Sequence, residues 1–108
     1  MSTISGESDH PLTWAEVDLG AIRHNVQAIK AHLAPQTRLI AVVKANAYGH
    51  GAVPVARAAL GAGAAWLAVN RVNEGVELRE AGLEARILVL GYCSPEQAAT
   101  IVRHRLTP

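Results

Sequence analysis

Cysteine is almost absent from this 108-residue sequence, because Cys93 is the only one. A single thiol excludes an internal disulfide framework and a cysteine-based zinc site. Phenylalanine is missing, and the two tryptophans and two tyrosines are too scattered to form a base-stacking platform. No apolar run approaches the roughly 20 residues that span a bilayer. We therefore expect a protein of the reducing cytoplasm that binds neither nucleic acid nor membrane.

Charge is also scarce. Ten basic and nine acidic side chains give a net charge of +1, and charged residues make up 18% of the sequence. This balance argues against a dedicated nucleic-acid binder. Half of the residues are hydrophobic, which excludes a disordered chain, and the length allows one domain at most. The acidic opening segment does not resemble a secretory signal.

The first third of the chain predicts a tail, a strand and a helix. Residues 1–12 are polar and indicate a flexible tail. Residues 13–19 alternate as a half-buried strand does, and Asp18 is a suitable N-cap for a helix that Pro35 stops. The apolar residues that recur on this helix at steps of three and four are Leu19, Ile22, Val26, Ile29 and Leu33.

The remainder predicts three strand–helix units in series. Uninterrupted aliphatic runs are typical of strands covered on both faces in a parallel sheet. The predicted strands are residues 38–43, 64–69 and 86–90, and the predicted helices are residues 52–60, 73–81 and about 95–103. Residues 106–108 indicate the start of a fourth strand. Such a series fits a small open sheet or the first part of a (β/α)₈ barrel, and the ending favours the barrel.

Lys44 is the strongest candidate for chemistry. It ends a buried strand, and ligands in such folds bind at the carboxyl ends of strands. Apolar walls there would favour the neutral amine that a Schiff-base lysine needs. A loop over residues 45–51 follows, and it could bring Tyr48 and His50 near a ligand of Lys44. The alternative is a lysine that extends to water beside an ordinary polar turn.

Other polar residues predict no site. Glu74, Glu77 and Glu80 recur every third residue on one helix, which is typical of a solvated face. Cys93 follows the third strand without a basic neighbour and indicates an unreactive loop thiol. No group of histidine, cysteine or carboxylate residues has the spacing of metal ligands, so we expect no metal.

Three segments carry a resemblance to a known family. The sequence AVVKANAYGHG at residues 41–51 resembles the pyridoxal-phosphate signature of bacterial alanine racemases. The segments WAEVDL at residues 14–19 and ILVLG at residues 87–91 resemble that family's N-terminal segment and its third barrel strand. The resemblance extends from about Thr13 to Pro95.

The resemblance implies a fold and a reaction. Residues 13–108 would be part of the N-terminal (β/α)₈ barrel of a fold-type III pyridoxal-phosphate enzyme, without its C-terminal β-domain. Lys44 would bind the cofactor covalently and act as one of two acid–base groups. Tyr48 would lie by the cofactor phosphate, and Leu90 would line the cofactor pocket. The reaction would interconvert L- and D-alanine, supplying D-alanine for peptidoglycan, in a cytoplasmic homodimer.

The resemblance also implies that these residues are insufficient. The family's opposite base is a tyrosine of the C-terminal β-domain, presented by the partner subunit, so we expect this fragment to be inactive alone. A racemase of broader specificity is also possible, since the substrate-selecting residues lie outside this stretch. Asn70 and Arg71 after the second strand are more polar than in relatives, which bears on fine specificity and not on the reaction. Two other hypotheses are a non-enzymatic pyridoxal-phosphate carrier with the same barrel and a purely structural α/β domain.

Overall fold

A computed structural model of the chain describes residues 12–108 and the strand β1 (Ser2–Ile4). β1 pairs antiparallel with β2 (Ala15–Val17), with Ser2 opposite Val17. This strand lies inside the segment expected to be a flexible tail and was not predicted, although Thr3 and Ile4 are residue types that favour strands. The rest of the expected tail up to residue 11 lies outside the described residues.

The first helix, α1 (Leu19–Ala31), begins where it was predicted. The Asp18 side chain accepts a hydrogen bond from the backbone N–H of Ala21 at 3.1 Å, which confirms the predicted N-cap. Val26 is the buried residue of the helix, whereas Ile29 is 54% exposed, so the apolar stripe is covered only in part. Among the described residues, no helix is long and apolar enough to cross a membrane.

Four parallel strands form the main sheet, as the strand–helix pattern predicted. They lie in chain order, so that each strand pairs with the next one along the chain. The strands are β3 (Ile40–Val42), β4 (Trp66–Val69), β5 (Arg86–Val89) and β6 (Leu106–Thr107). In register, Val42 pairs with Ala68, Ala68 with Leu88, and Leu88 with Thr107. The predicted fourth strand is confirmed as β6.

Helices connect the strands. They are α2 (Lys44–Tyr48), α3 (Ala52–Gly61), α4 (Val72–Glu80), a 3₁₀ turn (Pro95–Gln97) and α5 (Ala98–Arg103). The backbone N–H of Ser94 donates to Oε1 of Gln97 at 2.9 Å, which confirms the predicted helix start there. Gly82 follows α4 with a φ of 89°, a conformation that favours glycine, in agreement with its prediction as a cap.

The core lies between the sheet and its helices. Alternate residues of the strands, such as Leu67 and Ile87, are fully buried against α3, α4 and α5. On the other face of the sheet, Ile40 and Val42 are 42% and 40% exposed. The prediction that the strands are covered on both faces is therefore wrong for β3, because helices cover only one face in the part of the chain that the structure describes.

Arg79 fastens the amino ends of β5 and β6. Its guanidinium donates to the carbonyl oxygens of His104 at 2.8 Å, Leu83 at 2.9 Å, Ala85 at 2.6 Å and Arg105 at 3.1 Å. Burial lowers the pKa of Arg79 and the charge of Arg105 lowers it further, whereas Glu84 opposes both. Only a planar fork of N–H donors serves so many carbonyls at once.

We predict that Arg79→Lys destabilises the fold, because an ammonium cannot reach all of these carbonyls and leaves some without partners. The expected loss is about 2 kcal/mol. Thermal melting of the chain checks it. The matched control is Arg103→Lys on the exposed end of α5, and an equal melting temperature for both variants would contradict the role of Arg79.

Two strand edges, those of β3 and β6, have no neighbour in the described sheet. The open edges and the apolar face predict that the 108-residue chain self-associates.

Sedimentation over a range of concentrations checks this second prediction. We expect association that Ile40→Lys reduces, since a charge on an edge strand opposes pairing. A wild-type chain that sediments as a monomer at every concentration would contradict it.

Candidate functional site

The carboxyl ends of three neighbouring strands bring Lys44, Asn70 and Leu90 to one edge of the sheet. Each lies two residues beyond the registered positions Val42, Ala68 and Leu88. The pairing continues past the strands, because the N–H of Leu90 donates to the carbonyl of Val69 at 2.8 Å and that of Gly91 to the carbonyl of Asn70 at 3.0 Å. Two of the residues implied by the resemblance, Lys44 and Leu90, therefore share this edge.

Gly91 allows this close pairing. A Cβ at Gly91 would lie 2.9 Å from Oδ1 of Asn70 and closer still to its carbonyl oxygen. A side chain there would push the two strand ends apart. The close pairing with Asn70 thus explains why glycine ends the segment ILVLG.

The backbone after Lys44 forms one turn of left-handed helix. Ala45, Asn46, Ala47 and Tyr48 have φ angles of 51°, 54°, 53° and 56°. The sequence predicted a loop over residues 45–51, which is wrong for residues 45–48. Left-handed helical residues other than glycine cost roughly 1–2 kcal/mol each, because Cβ crowds the following carbonyl. No local propensity of alanine or tyrosine indicates this conformation, so the surrounding structure must impose it.

Two contacts hold the later part of the left-handed turn, at residues 46 and 47. Ala47 is buried in the core, with 4% of its surface exposed. The Asn46 side chain accepts a hydrogen bond from the backbone N–H of Ala52 at 2.8 Å, at the start of α3. Gly49 and Gly51 leave the turn with φ angles of 89° and 94°, which favour glycine. Asn46 is therefore a structural residue of the motif.

Glu74 holds the start of the left-handed turn, at Ala45. Its Oε2 accepts a hydrogen bond from the backbone N–H of Ala45 at 2.6 Å, directly after Lys44. Its Oε1 accepts from the N–H of Asn70 at 2.9 Å and of Arg71 at 2.7 Å. The expectation of a solvated face is wrong for half-buried Glu74, whereas Glu77 is exposed as expected.

The sequence carries only part of the signal for Glu74. It is the third residue of α4, where a carboxylate commonly accepts from the helix N-cap, here Arg71. The contact with Ala45 joins residues 29 positions apart and has no local signature.

Two clefts open at this end of the sheet. One of about 370 Å³ is lined by half-buried Lys44 together with Ala45, Asn70, Arg71 and Glu74. A second cleft, of about 230 Å³, is lined by Ile22, Val42, Ala47, Tyr48, His50 and Val55. The structure thus places Tyr48 and His50 together but in a different cleft from Lys44. Tyr48 and Leu90 are 61% and 51% exposed.

The remaining candidates stand apart from both clefts. Cys93 is half-buried, with its Sγ 3.8 Å from the carbonyl oxygen of Gly91. Within residues 12–108, no group of three or more histidine, cysteine or carboxylate side chains is placed to hold a metal ion.

Comparison with known proteins identifies the family. Residues 17–108 match the model of the alanine racemase N-terminal domain. The chain is 60% identical over 94 residues to the alanine racemase of Symbiobacterium thermophilum, covering 87% of this chain and 25% of that protein. The chain belongs to the alanine racemase family. It spans about a quarter of the length of the curated racemases that it matches.

Solved alanine racemases share the fold. The Bacillus anthracis enzyme with bound L-Ala-P superposes with a TM-score of 0.82 at 47% identity, covering 83% of this chain and 23% of that one. The Clostridium difficile 630 enzyme in complex with cycloserine gives a TM-score of 0.85 at 38% identity, covering 92% and 26%. The predicted fold, the first part of a (β/α)₈ barrel, is confirmed. The alternative of a cofactor carrier is not favoured.

We predict that Asn46→Ala in this alanine racemase segment lowers stability by about 1–2 kcal/mol, because α3 loses a side-chain cap. Thermal melting measures the loss. The control is Asn46→Asp, which keeps an acceptor at the same place and tolerates the left-handed conformation. Equal melting temperatures for the alanine variant and the wild type would refute the capping role.

Proposed function

We propose that this chain is the cofactor-binding N-terminal part of a pyridoxal-phosphate enzyme that interconverts L- and D-alanine. The observation that carries the proposal is the position of Lys44. Half-buried Lys44 lies at the carboxyl end of a strand and lines a cleft. The chain around it is 60% identical to a named alanine racemase.

The residues at the edge of the sheet suit pyridoxal phosphate. An amine, a phenol and an aliphatic side chain are the groups that an aldehyde, a phosphate and an aromatic ring require, and Lys44, Tyr48 and Leu90 supply them. Tyr48 and Leu90 are exposed and so accessible to a ligand. Lys44 and Leu90 share one edge of the sheet, and Tyr48, which lines the second cleft, follows Lys44 by four residues, so the three side chains fit the cofactor's groups by their chemistry.

Each residue has a distinct part in the proposal. Pyridoxal phosphate, when bound, disperses the electron pair that remains after the α-proton leaves the amino acid. Lys44 would hold the cofactor through its aldehyde, and the amine Nζ of Lys44 would take or return the α-proton on one face of the substrate. Tyr48 would donate a hydrogen bond to the phosphate, and Leu90 would pack against the ring. The strand end keeps the amine in place.

Racemisation needs a second base on the opposite face of the α-carbon. We propose that a tyrosine from a C-terminal β-domain of the partner subunit supplies it, in a homodimer. Alanine as substrate is supported by relatives whose names state it and by a relative that binds L-Ala-P. The domain assignment is proposed on the same basis, with residues 13–108 as part of the barrel and residues 1–12 as a tail that carries the short strand β1.

The cellular role follows from the product. D-Alanine is a component of peptidoglycan, so the proposed reaction supplies cell-wall synthesis. A cytoplasmic location accords with a sequence whose one cysteine is a free thiol.

Lys44 and Lys30 are the only lysines of the chain, which gives a matched test. We predict that borohydride reduction with pyridoxal phosphate labels Lys44, and that Lys44→Arg abolishes the label and the yellow colour. Lys30→Arg, on the exposed face of α1, leaves both intact. Peptide mapping by mass spectrometry checks the prediction, and a label that survives Lys44→Arg would refute the proposed cofactor site.

The reaction is tested in a full-length hybrid, the Symbiobacterium thermophilum alanine racemase with residues 13–108 of this chain in place of its matching segment. We predict that the hybrid racemises L-alanine and that its Lys44→Arg variant loses at least about 10³-fold in kcat, because a general base is removed. A chiral assay of D-alanine measures it. The 108-residue chain alone should form no D-alanine, and turnover near the rate of the hybrid would contradict the need for a second base.

A further inference from the structure

We propose that Glu74 is a positioning residue for Lys44. Its carboxylate holds the backbone of the residue after Lys44 and thereby fixes the direction in which the amine extends. The inference rests on the proposed function of Lys44. It adds Glu74, which lies on α4, the helix that follows the neighbouring strand β4.

The Glu74 carboxylate forms a bridge between two loops at the edge of the sheet. One carboxylate accepts from the loop after β3, through Ala45 at 2.6 Å, and from the loop after β4, through Asn70 at 2.9 Å and Arg71 at 2.7 Å. Hydrogen bonds to an ionised acceptor are shorter and about twice as strong as neutral ones. Glu74 also lies in the first turn of α4, where the positive end of the helix dipole stabilises its negative charge. The bridge therefore joins two strand ends firmly.

The bridge restrains the start of the left-handed turn. Ala45 is the first left-handed residue of the turn, and the strain of the whole turn can relax if its backbone rotates. Such a rotation would swing Lys44, because the two residues share a peptide plane. Asn46 and Ala47 fix the later residues of the turn. Glu74 is the partner that holds its first N–H.

The direction of the Lys44 amine depends on this restraint. Lys44 has four rotatable side-chain bonds, so its reach is broad and its direction depends on the backbone from which it starts. A displacement of about 1 Å at a reacting group can cost about 10²-fold in rate. A backbone clamp at Ala45 therefore sets the direction from which the amine extends.

One substitution separates this role from helix capping. In Glu74→Gln, the amide oxygen can keep both bonds to Asn70 and Arg71, whereas the amide nitrogen then faces the N–H of Ala45, donor against donor. The variant keeps the cap of α4 and loses the bridge to the turn. Glu77→Gln, one turn along the same helix and exposed, is the matched control.

The experiment uses the full-length hybrid and two readouts. Hydrogen exchange by mass spectrometry, without cofactor or substrate, compares peptides that cover residues 43–49 and 69–75. We expect Glu74→Gln to speed exchange in the first peptide about tenfold, the effect of losing one charge-assisted hydrogen bond, and to leave the second unchanged. In racemisation we expect kcat to fall at least about tenfold while KM for alanine stays within about twofold, since orientation and not binding is lost.

Each other outcome overturns the proposal. Unchanged exchange at residues 43–49 shows that Glu74 does not hold the turn. Faster exchange in both peptides, or an equal effect of Glu77→Gln, indicates general destabilisation of α4. If Glu74→Gln does not fold, hydrogen exchange of the unsubstituted hybrid tests the proposal. An Ala45 amide without protection from exchange would refute the bridge.

The two proposals fail separately. If Lys44→Arg keeps full activity, the proposed function is wrong whatever the exchange data show. If Lys44→Arg is inactive and Glu74→Gln retains kcat, the proposed function stands and Glu74 is only structural.

Discussion

The left-handed turn after Lys44 is the constraint on which the site depends. Four successive residues other than glycine adopt positive φ angles, which sums to roughly 4–8 kcal/mol of local cost. A strained backbone of this kind persists only where its surroundings determine it. Here the buried Ala47, the Asn46 side chain and the Glu74 carboxylate each restrain a different part of the turn. The packing of α3 and α4 on the sheet thus sets the backbone from which the amine extends.

The parallel sheet explains why distant residues meet. Pairing in chain order brings each loop beside the loop of the next unit, so Lys44 lies beside Asn70 and Arg71 although 26 positions separate Lys44 from Asn70. Glu74 uses this neighbourhood to join two consecutive loops. At the opposite end of the sheet, Arg79 does the same for the amino ends of later strands. The two side chains of α4 clamp both ends of the strand–helix units.

Most of the fold could be predicted from the sequence, because periodicity and caps are local. Asp18, Ser94 and Gly82 mark element ends through contacts within a few residues. The left-handed turn and the Glu74 bridge could not, since alanine has no preference for positive φ and the Ala45–Glu74 contact depends on tertiary packing. The exposed side of β3 was also missed, since a continuous apolar run does not tell which face the chain covers.

The candidate site lies at the carboxyl end of a sheet with one open face. Lys44, Asn70 and Leu90 follow the ends of three neighbouring strands, and Ile40 and Val42 of the first of these strands are exposed on the face without helices. In a closed barrel that face becomes the interior, and its carboxyl end becomes the mouth where ligands bind. The restraints on the turn come from the Glu74 carboxylate of α4 and from the contact of the Asn46 side chain with the start of α3. The packing of these helices on one face of the sheet thereby sets the backbone from which the Lys44 side chain reaches its cleft.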